Sequence, residues 1–331
     1  MTSVNPVPKR RRGRYLGRRR NAYEYRDDKI LQWARILQQG FDVFNMPECP
    51  ITWYRELRDK HVSALESPRY KNLCDIGAGT GNATIAALEL DGDKRKELVY
   101  ATDKSRGALK ILRRKCKKQG IDYRGRLATK QVSALKLDFP DEIFDGMIHM
   151  LLVNFLTADD KYEIISKDDA ARYRRMRIEQ IREHIGRLYD MLTYDGGRLT
   201  MSGPKRSWNA GAMLDPMSRE LEDWIADDPD RRVVNTGTVK DPVLKDCRYG
   251  VWTPAFEHFG KHLVSCDSIE SIVNLDPGEV RELFKHAGFR GIKDSEAGYG
   301  EDWFIQGDKP RKPRSSGSRR RVGFGRFKVA I

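Results

Sequence analysis

The run Asp75-Ile76-Gly77-Ala78-Gly79-Thr80-Gly81 carries the clearest chemical signal in the chain. Glycines two apart let the backbone turn sharply and let a ligand approach the main chain closely. A helix starting beyond such a turn offers free N–H groups and the positive end of its dipole to a carboxylate or similar anion. A second acid, Asp103, ends the stretch Leu98-Val99-Tyr100-Ala101-Thr102, where its carboxylate can accept from both hydroxyls of a ribose. A nicotinamide dinucleotide would call for G-x-G-x-x-G; here position 82 is Asn and the glycines run G-x-G-x-G. Turn, flanking elements and strand-end acid coincide, which a turn serving packing alone does not explain.

Other constellations are weaker. His149 and Asn154 lie at the end of an apolar run, in the place of a general base and its neighbour. Alternation along a strand sends His149 either to the reaction centre or into a packing layer, and the sequence favours packing. His258, His262 and Cys266 repeat every four residues, a spacing that suits a metal on one helix face. Gly260 weakens that helix and no fourth ligand is near, so no metal is expected.

The elements that must hold these residues alternate between helix and strand, which predicts an α/β fold with a mainly parallel sheet. An opening helix is expected over 28–39 after Asp27-Asp28. Strands are expected at 72–76, 98–102, 143–152 and 198–202, with helices over 80–90 and 105–118. The second of these helices turns Leu109 and Leu112 inward and a Lys/Arg-rich face outward. Ile178, Ile181, Ile185, Leu188 and Leu192 step by three and four, one apolar stripe of a long helix stopped by Asp195-Gly196-Gly197. A last helix begins with Asp276 as cap, Pro277 at its first position and Glu279 completing the box. Strands near 289–294 and 301–306 close the sheet.

Charge is unevenly placed. The net charge is +14, yet residues 1–20 hold eight Lys/Arg and residues 309–331 nine more, with no acid in either. The middle is therefore mildly acidic, at −3. Both ends are rich in Arg, Gly, Pro and Ser and are expected to be disordered. The organisation reads as a basic tail at 1–22, a helical extension at 23–69, a main domain at 70–308 with an insertion at 204–275, and a second tail at 309–331. No apolar run approaches the ~20 residues that cross a bilayer. Five cysteines without a CxxC pair fit a reducing compartment, so a cytoplasmic or nuclear site is expected.

Taken together, these motifs resemble the class I S-adenosylmethionine (SAM)-dependent methyltransferases, especially the small-molecule group that includes the quinone-biosynthesis enzymes. The resemblance covers residues 70–205 and, more loosely, 276–308. It implies a Rossmann-like seven-stranded sheet with helices on both faces. It further implies that Asp75, Gly77, Ala78, Gly79 and Gly81 hold the methionine part of SAM, and that Asp103 takes the ribose. Lys104 would lie beside the adenine, with Ser133 and Ala134 in the adenine-contacting segment, although Ser133 stands where the family has an acid. Phe144-Asp145, Asp195-Gly196-Gly197 and Ala287-Gly288-Phe289 match further family elements.

In such enzymes the N-terminal helices and the insertion cover the acceptor, which makes Trp53, Tyr54, Trp208 and Trp252 candidate acceptor contacts. A core role within the cover is the plainer reading for most of these aromatics. Three functions stay open. The first is methylation of a small-molecule acceptor. The second is methylation of RNA, or of a protein on nucleic acid, docked through the tails at 9–20 and 309–328. The third is a non-catalytic SAM-fold protein, against which the intact turn speaks.

Overall fold

In a computed structural model, residues 51–153, 156, 167–207 and 274–312 are described, with short pieces between 212 and 246. The expected alternation resolves into β1 (Asn72–Ile76), β2 (Leu98–Asp103), β3 (Leu127–Gln131), β4 (Gly146–His149), β5 (Arg198–Pro204), β6 (Arg290–Ala297) and β7 (Asp302–Asp308). Their order across the sheet is β3-β2-β1-β4-β5-β7-β6. The first five are parallel; β7 runs antiparallel between β5 and β6. The strand order reverses between β1 and β4, and ligands of open α/β sheets bind at that switch, beyond the carboxyl ends of the strands.

Helices cover both faces. On one lie α1 (Trp53–Ala64), α2 (Asn82–Glu89) and α3 (Arg106–Lys118), packed over Leu73, Val99, Ala101 and Ile148. On the other lie α4 (Lys167–Met191) and α5 (Pro277–Ala287), over Cys74, Ile76, Met147 and Leu199. Cys74 and Ile76 face one layer and Leu73 the other, as the two-residue period of a strand dictates. The α4 stripe behaves as its spacing foretold: Ile181, Ile185 and Leu188 are fully buried, each contributing about 1.5–3 kcal/mol. The cap of α5 also forms, with the Asp276 N–H donating to the Glu279 carboxylate at 2.9 Å.

Three expectations change. The strand foreseen over 143–152 is only Gly146–His149, because Leu151 takes φ +53° and turns the chain away. Helix α4 starts by Lys167, so the end of the polar stretch 157–172 is helical. Residues 309–312, assigned to a disordered tail, belong to the folded body. Lys309 is buried, and its ammonium donates to the carbonyls of Tyr189, Asp190 and Leu192 at 2.9, 3.3 and 2.8 Å. A cation there satisfies carbonyls that the end of α4 leaves without helical partners. The helix foreseen over 28–39, most of the 204–275 insertion and the remaining tail residues lie outside the described residues. Among the described residues no helix is long and apolar enough to cross a membrane.

Candidate active site

The site grows from the link between β1 and α2. Gly77, Gly79 and Gly81 all have positive φ (+69°, +54° and +85°), a conformation that L side chains rarely adopt. Gly79 faces open space, with nothing within 4 Å of where a Cβ would stand. Gly81 is filled from behind, since a Cβ there would clash with the Leu112 side chain. One glycine thus leaves room for a ligand and the other seats α2 against α3. The Ala78 N–H anchors the turn to the Thr102 carbonyl at 2.8 Å.

The two acids have different places. Asp75 is buried beneath the turn, where Thr84 of α2 donates to its carboxylate at 2.5 Å. Burial pushes its pKa up to about 7, partly countered by Thr84. Asp75 therefore braces turn and helix from below. Asp103 stands at the rim: one oxygen accepts from Gly79 N–H at 2.9 Å and the other from Ser105 N–H at 2.7 Å. Burial raises its pKa and those two donors oppose the rise. Each oxygen keeps a further lone pair, which suits a ribose diol. An open glycine beside an oriented carboxylate fits the nucleoside and amino-acid parts of SAM.

Lys104 is exposed next to this acid. Ser133 and Ala134 follow β3, whose end is tied to β2 by Val132 N–H donating to the Asp103 carbonyl at 3.1 Å. The segment after β3 and the end of β2 at Asp103 thus form one rim. His184 of α4, a residue the sequence did not single out, is held to the Ala134 backbone from behind. Thr84 was also missed. Its signal, a hydroxyl nine residues after the acid across a strand-to-helix turn, is too common to stand out.

His149 takes the packing alternative. It is fully buried, its ring centroid 5.1 Å from that of His184, and neither ring nitrogen has a hydrogen-bond partner among the described residues. Desolvation holds its pKa well below the usual imidazole value. A base must reach the proton it removes to within about 3 Å, and this imidazole is enclosed in the core layer. Trp53 and Tyr54 are buried as well, with rings edge to face at 5.5 Å. The Tyr54 hydroxyl accepts from Asn82 at 3.4 Å, beside Gly81, so the start of α1 closes over the glycine turn. Asn154, Trp208, Trp252, His258, His262 and Cys266 lie outside the described residues. No metal-binding cluster occurs among the described residues.

The cleft lined by Glu142, Thr193, Tyr194, Asp195, Arg311 and Lys312 opens at the opposite edge of the sheet, where β5 begins. Lys312 is tied to Glu142 at 3.0 Å and Arg311 to Asp195 at 3.6 Å. It has no part in the glycine-turn site.

Residues 73–168 match the methyltransferase-domain family, a segment that includes the glycine turn, Asp103, Ser133 and Ala134. No curated protein matches the sequence. Among solved structures, a SAM-dependent methyltransferase from Aquifex aeolicus is 14% identical with a TM-score of 0.42, over 85% of this chain and 97% of that one. A SAM-dependent methyltransferase from Thermotoga maritima is 13% identical with a TM-score of 0.42, over 87% and 99%. A complex of the Haloferax volcanii Trm112 methyltransferase activator with a methyltransferase gives 10% identity and a TM-score of 0.47, over 87% and 99%. These likenesses are distant, and the family match carries the weight. The matched segment is less than a third of the chain, and the glycine turn and the strand-end acid both lie within it.

Proposed function

We propose that the chain moves a methyl group from SAM to an O, N or C nucleophile of a small-molecule acceptor at the carboxyl edge of β4 and β5. The observation that carries this reading is the open backbone at Gly79 with the Asp103 carboxylate fixed across it. When bound, SAM supplies a methyl group made electrophilic by its sulfonium. The protein then needs mainly to align a nucleophile and exclude water. Gly77, Ala78, Gly79 and Gly81 present backbone to the amino-acid end, Asp103 orients the ribose, and Ser133 and Ala134 face the adenine. Trp53 and Tyr54 wall off the turn. His149 is assigned support of the β4 end; no described residue is assigned as general base. The second reading, RNA or a nucleic-acid-associated protein as acceptor, is favoured by the cationic face of α3 and the basic ends.

Asp103→Ala and Gly79→Arg are each expected to abolish SAM binding in a protein that keeps its far-UV circular dichroism. Nothing stands within 4 Å of where a Cβ would be at Gly79, so the arginine would fill the ligand's space rather than the core, with the positive φ adding local backbone strain. Calorimetry showing near-normal affinity in both would sink the assignment. Transfer of labelled methyl into separated small-molecule, RNA and protein fractions of a cell extract then ranks the two acceptor readings.

A further inference from the structure

Helix α3 carries seven cations in its thirteen residues and no acid. Six of them, Arg106, Lys110, Arg113, Arg114, Lys117 and Lys118, are exposed. Their spacing of three and four residues puts them on one stripe, about 18 Å long at 1.5 Å per residue. None forms an ion pair with a described residue. The nearby acids are engaged elsewhere, Asp122 by Arg95 at 2.7 Å and Asp138 by Lys130 at 2.7 Å. Glu89, on α2, is one acid against six cations.

The described residues give no internal reason for this stripe. Cations near a helix C-terminus are favoured by the dipole, which accounts for Lys117 and Lys118 but puts Arg106 at the wrong end. Lys110 with Arg114, Arg113 with Lys117 and Arg114 with Lys118 are like charges at i,i+4, and each such pair destabilises a helix by about 0.2–0.5 kcal/mol. The self-repulsion is relieved by an anion from outside. An anionic membrane is a poor candidate, since the apolar residues of α3, Leu109, Leu112 and Cys116, are buried and none is free to insert. A row of point charges without an apolar margin matches a phosphate backbone.

We propose that the exposed face of α3 is a docking strip for the phosphate backbone of single-stranded RNA, read without sequence choice. The strip begins just after Asp103, through Ser105, which caps α3 by accepting from Ala108 N–H at 3.2 Å. A bound strand therefore runs past the ribose end of the cofactor site. This is a binding property and holds whichever acceptor the enzyme uses.

The test is fluorescence anisotropy of a labelled 20-nucleotide RNA of mixed sequence, titrated with the full chain from 50 to 200 mM KCl. The variant Lys110→Gln/Arg113→Gln/Arg114→Gln/Lys117→Gln is expected to bind at least about tenfold more weakly. Its plot of log affinity against log salt should be shallower by roughly 2–3, at about 0.7 per lost phosphate contact. A second full-length variant, with Arg18, Arg19, Arg20, Arg319, Arg320 and Arg321 changed to Gln, separates the strip from the tails. Wild-type RNA affinity in the strip variant, with loss in the tail variant, overturns the proposal. Binding to phosphatidylserine vesicles or polyglutamate but not to RNA also overturns it. Should the fourfold variant fail to fold, Lys110→Gln and Arg114→Gln alone must each flatten the salt slope by about 0.7. Calorimetry with SAM on the same samples keeps the readings apart: SAM binding without RNA binding sinks the strip alone, and the reverse sinks the cofactor site alone.

Discussion

Helices α3 and α4 each carry seven Lys/Arg, yet they use them in opposite ways. Along α4 there are also five acids, and four of its cations, Arg174, Arg177, Arg182 and Arg187, are engaged within the fold, while Arg172 and Arg175 are exposed. Arg174 forks onto Glu279 at 2.5 and 2.7 Å, Arg182 pairs with Glu179 at 2.6 Å, and Arg187 with Asp141 at 2.6 Å. Along α3 the six exposed cations meet no acid among the described residues. Cation content alone therefore says little about a partner; what decides is whether the fold already supplies the counter-charge. In α4 it does, and the charges fasten layers together. In α3 the described residues do not, which is what leaves those charges to the proposed partner.

The sharpest way to break that contrast is at Lys309, which fastens the end of α4. Lys309→Met keeps the length of the side chain and removes the ammonium that three carbonyls share. Charge-assisted hydrogen bonds contribute about 1.5–3 kcal/mol, and buried carbonyls left alone add to the loss. The expected destabilisation is about 3 kcal/mol by urea unfolding, with no change in RNA affinity. Stability unchanged within 0.5 kcal/mol would mean that the cations around α4 are as idle in the fold as those of α3.

A smaller effect separates the buried ionisable groups of the core from the exposed stripe. His184 of α4 is held down to about 4, His61 of α1 to about 3, and His149 well below its usual value, all by burial. Burial instead raises Asp75 to about 7 and Asp302 to about 8. A histidine with a lowered folded pKa gives stability that is lost as pH falls below the unfolded value. A carboxyl with a raised folded pKa gives stability that is lost as pH rises toward the folded value. Between pH 5 and 6, three histidine protons in the unfolded chain oppose those that Asp75 and Asp302, and in part Asp103 and Asp145, keep in the folded one, so any rise in stability should stay below about 1 kcal/mol per pH unit. From 6.5 toward 8 the histidines no longer bind protons when unfolded and stability should fall. Urea midpoints across that range should peak near pH 6.5, and Asp302→Asn should flatten the alkaline side. A monotonic profile would contradict this balance.

The cofactor half of the site was legible in the sequence because its chemistry is nearly consecutive: seven residues make the turn, and Asp103 ends the next strand. The long-range polar contacts of the core were not. His61 meets Thr200 at 2.8 Å and Ser202 at 2.9 Å, across 139 and 141 residues, and nothing local marks the pairing. His149 was ambiguous because its side depends on where β4 ends, which Leu151 settles with a left-handed turn. Lys309 read as the start of a tail because its partners are backbone carbonyls, which every residue has. The capping box of α5 and the stripe of α4 were visible, being local and periodic.

The smallest expected effect is also the most direct check on α3. Arg114 lies four residues from both Lys110 and Lys118 and three from Lys117, so Arg114→Gln removes three repulsions while keeping a good helix former. Its stability should stay within about 0.5 kcal/mol of the native chain, on the stabilising side if on either. Arg174→Gln serves as the counterpart on α4. It breaks the fork onto Glu279 and the bond to the Asn274 carbonyl at 3.0 Å, and should destabilise by about 1–2 kcal/mol. A loss above 1 kcal/mol for Arg114→Gln would show that the fold does use this cation. The stripe would then be fastened as α4 is, and the case for an external phosphate chain would lose its premise.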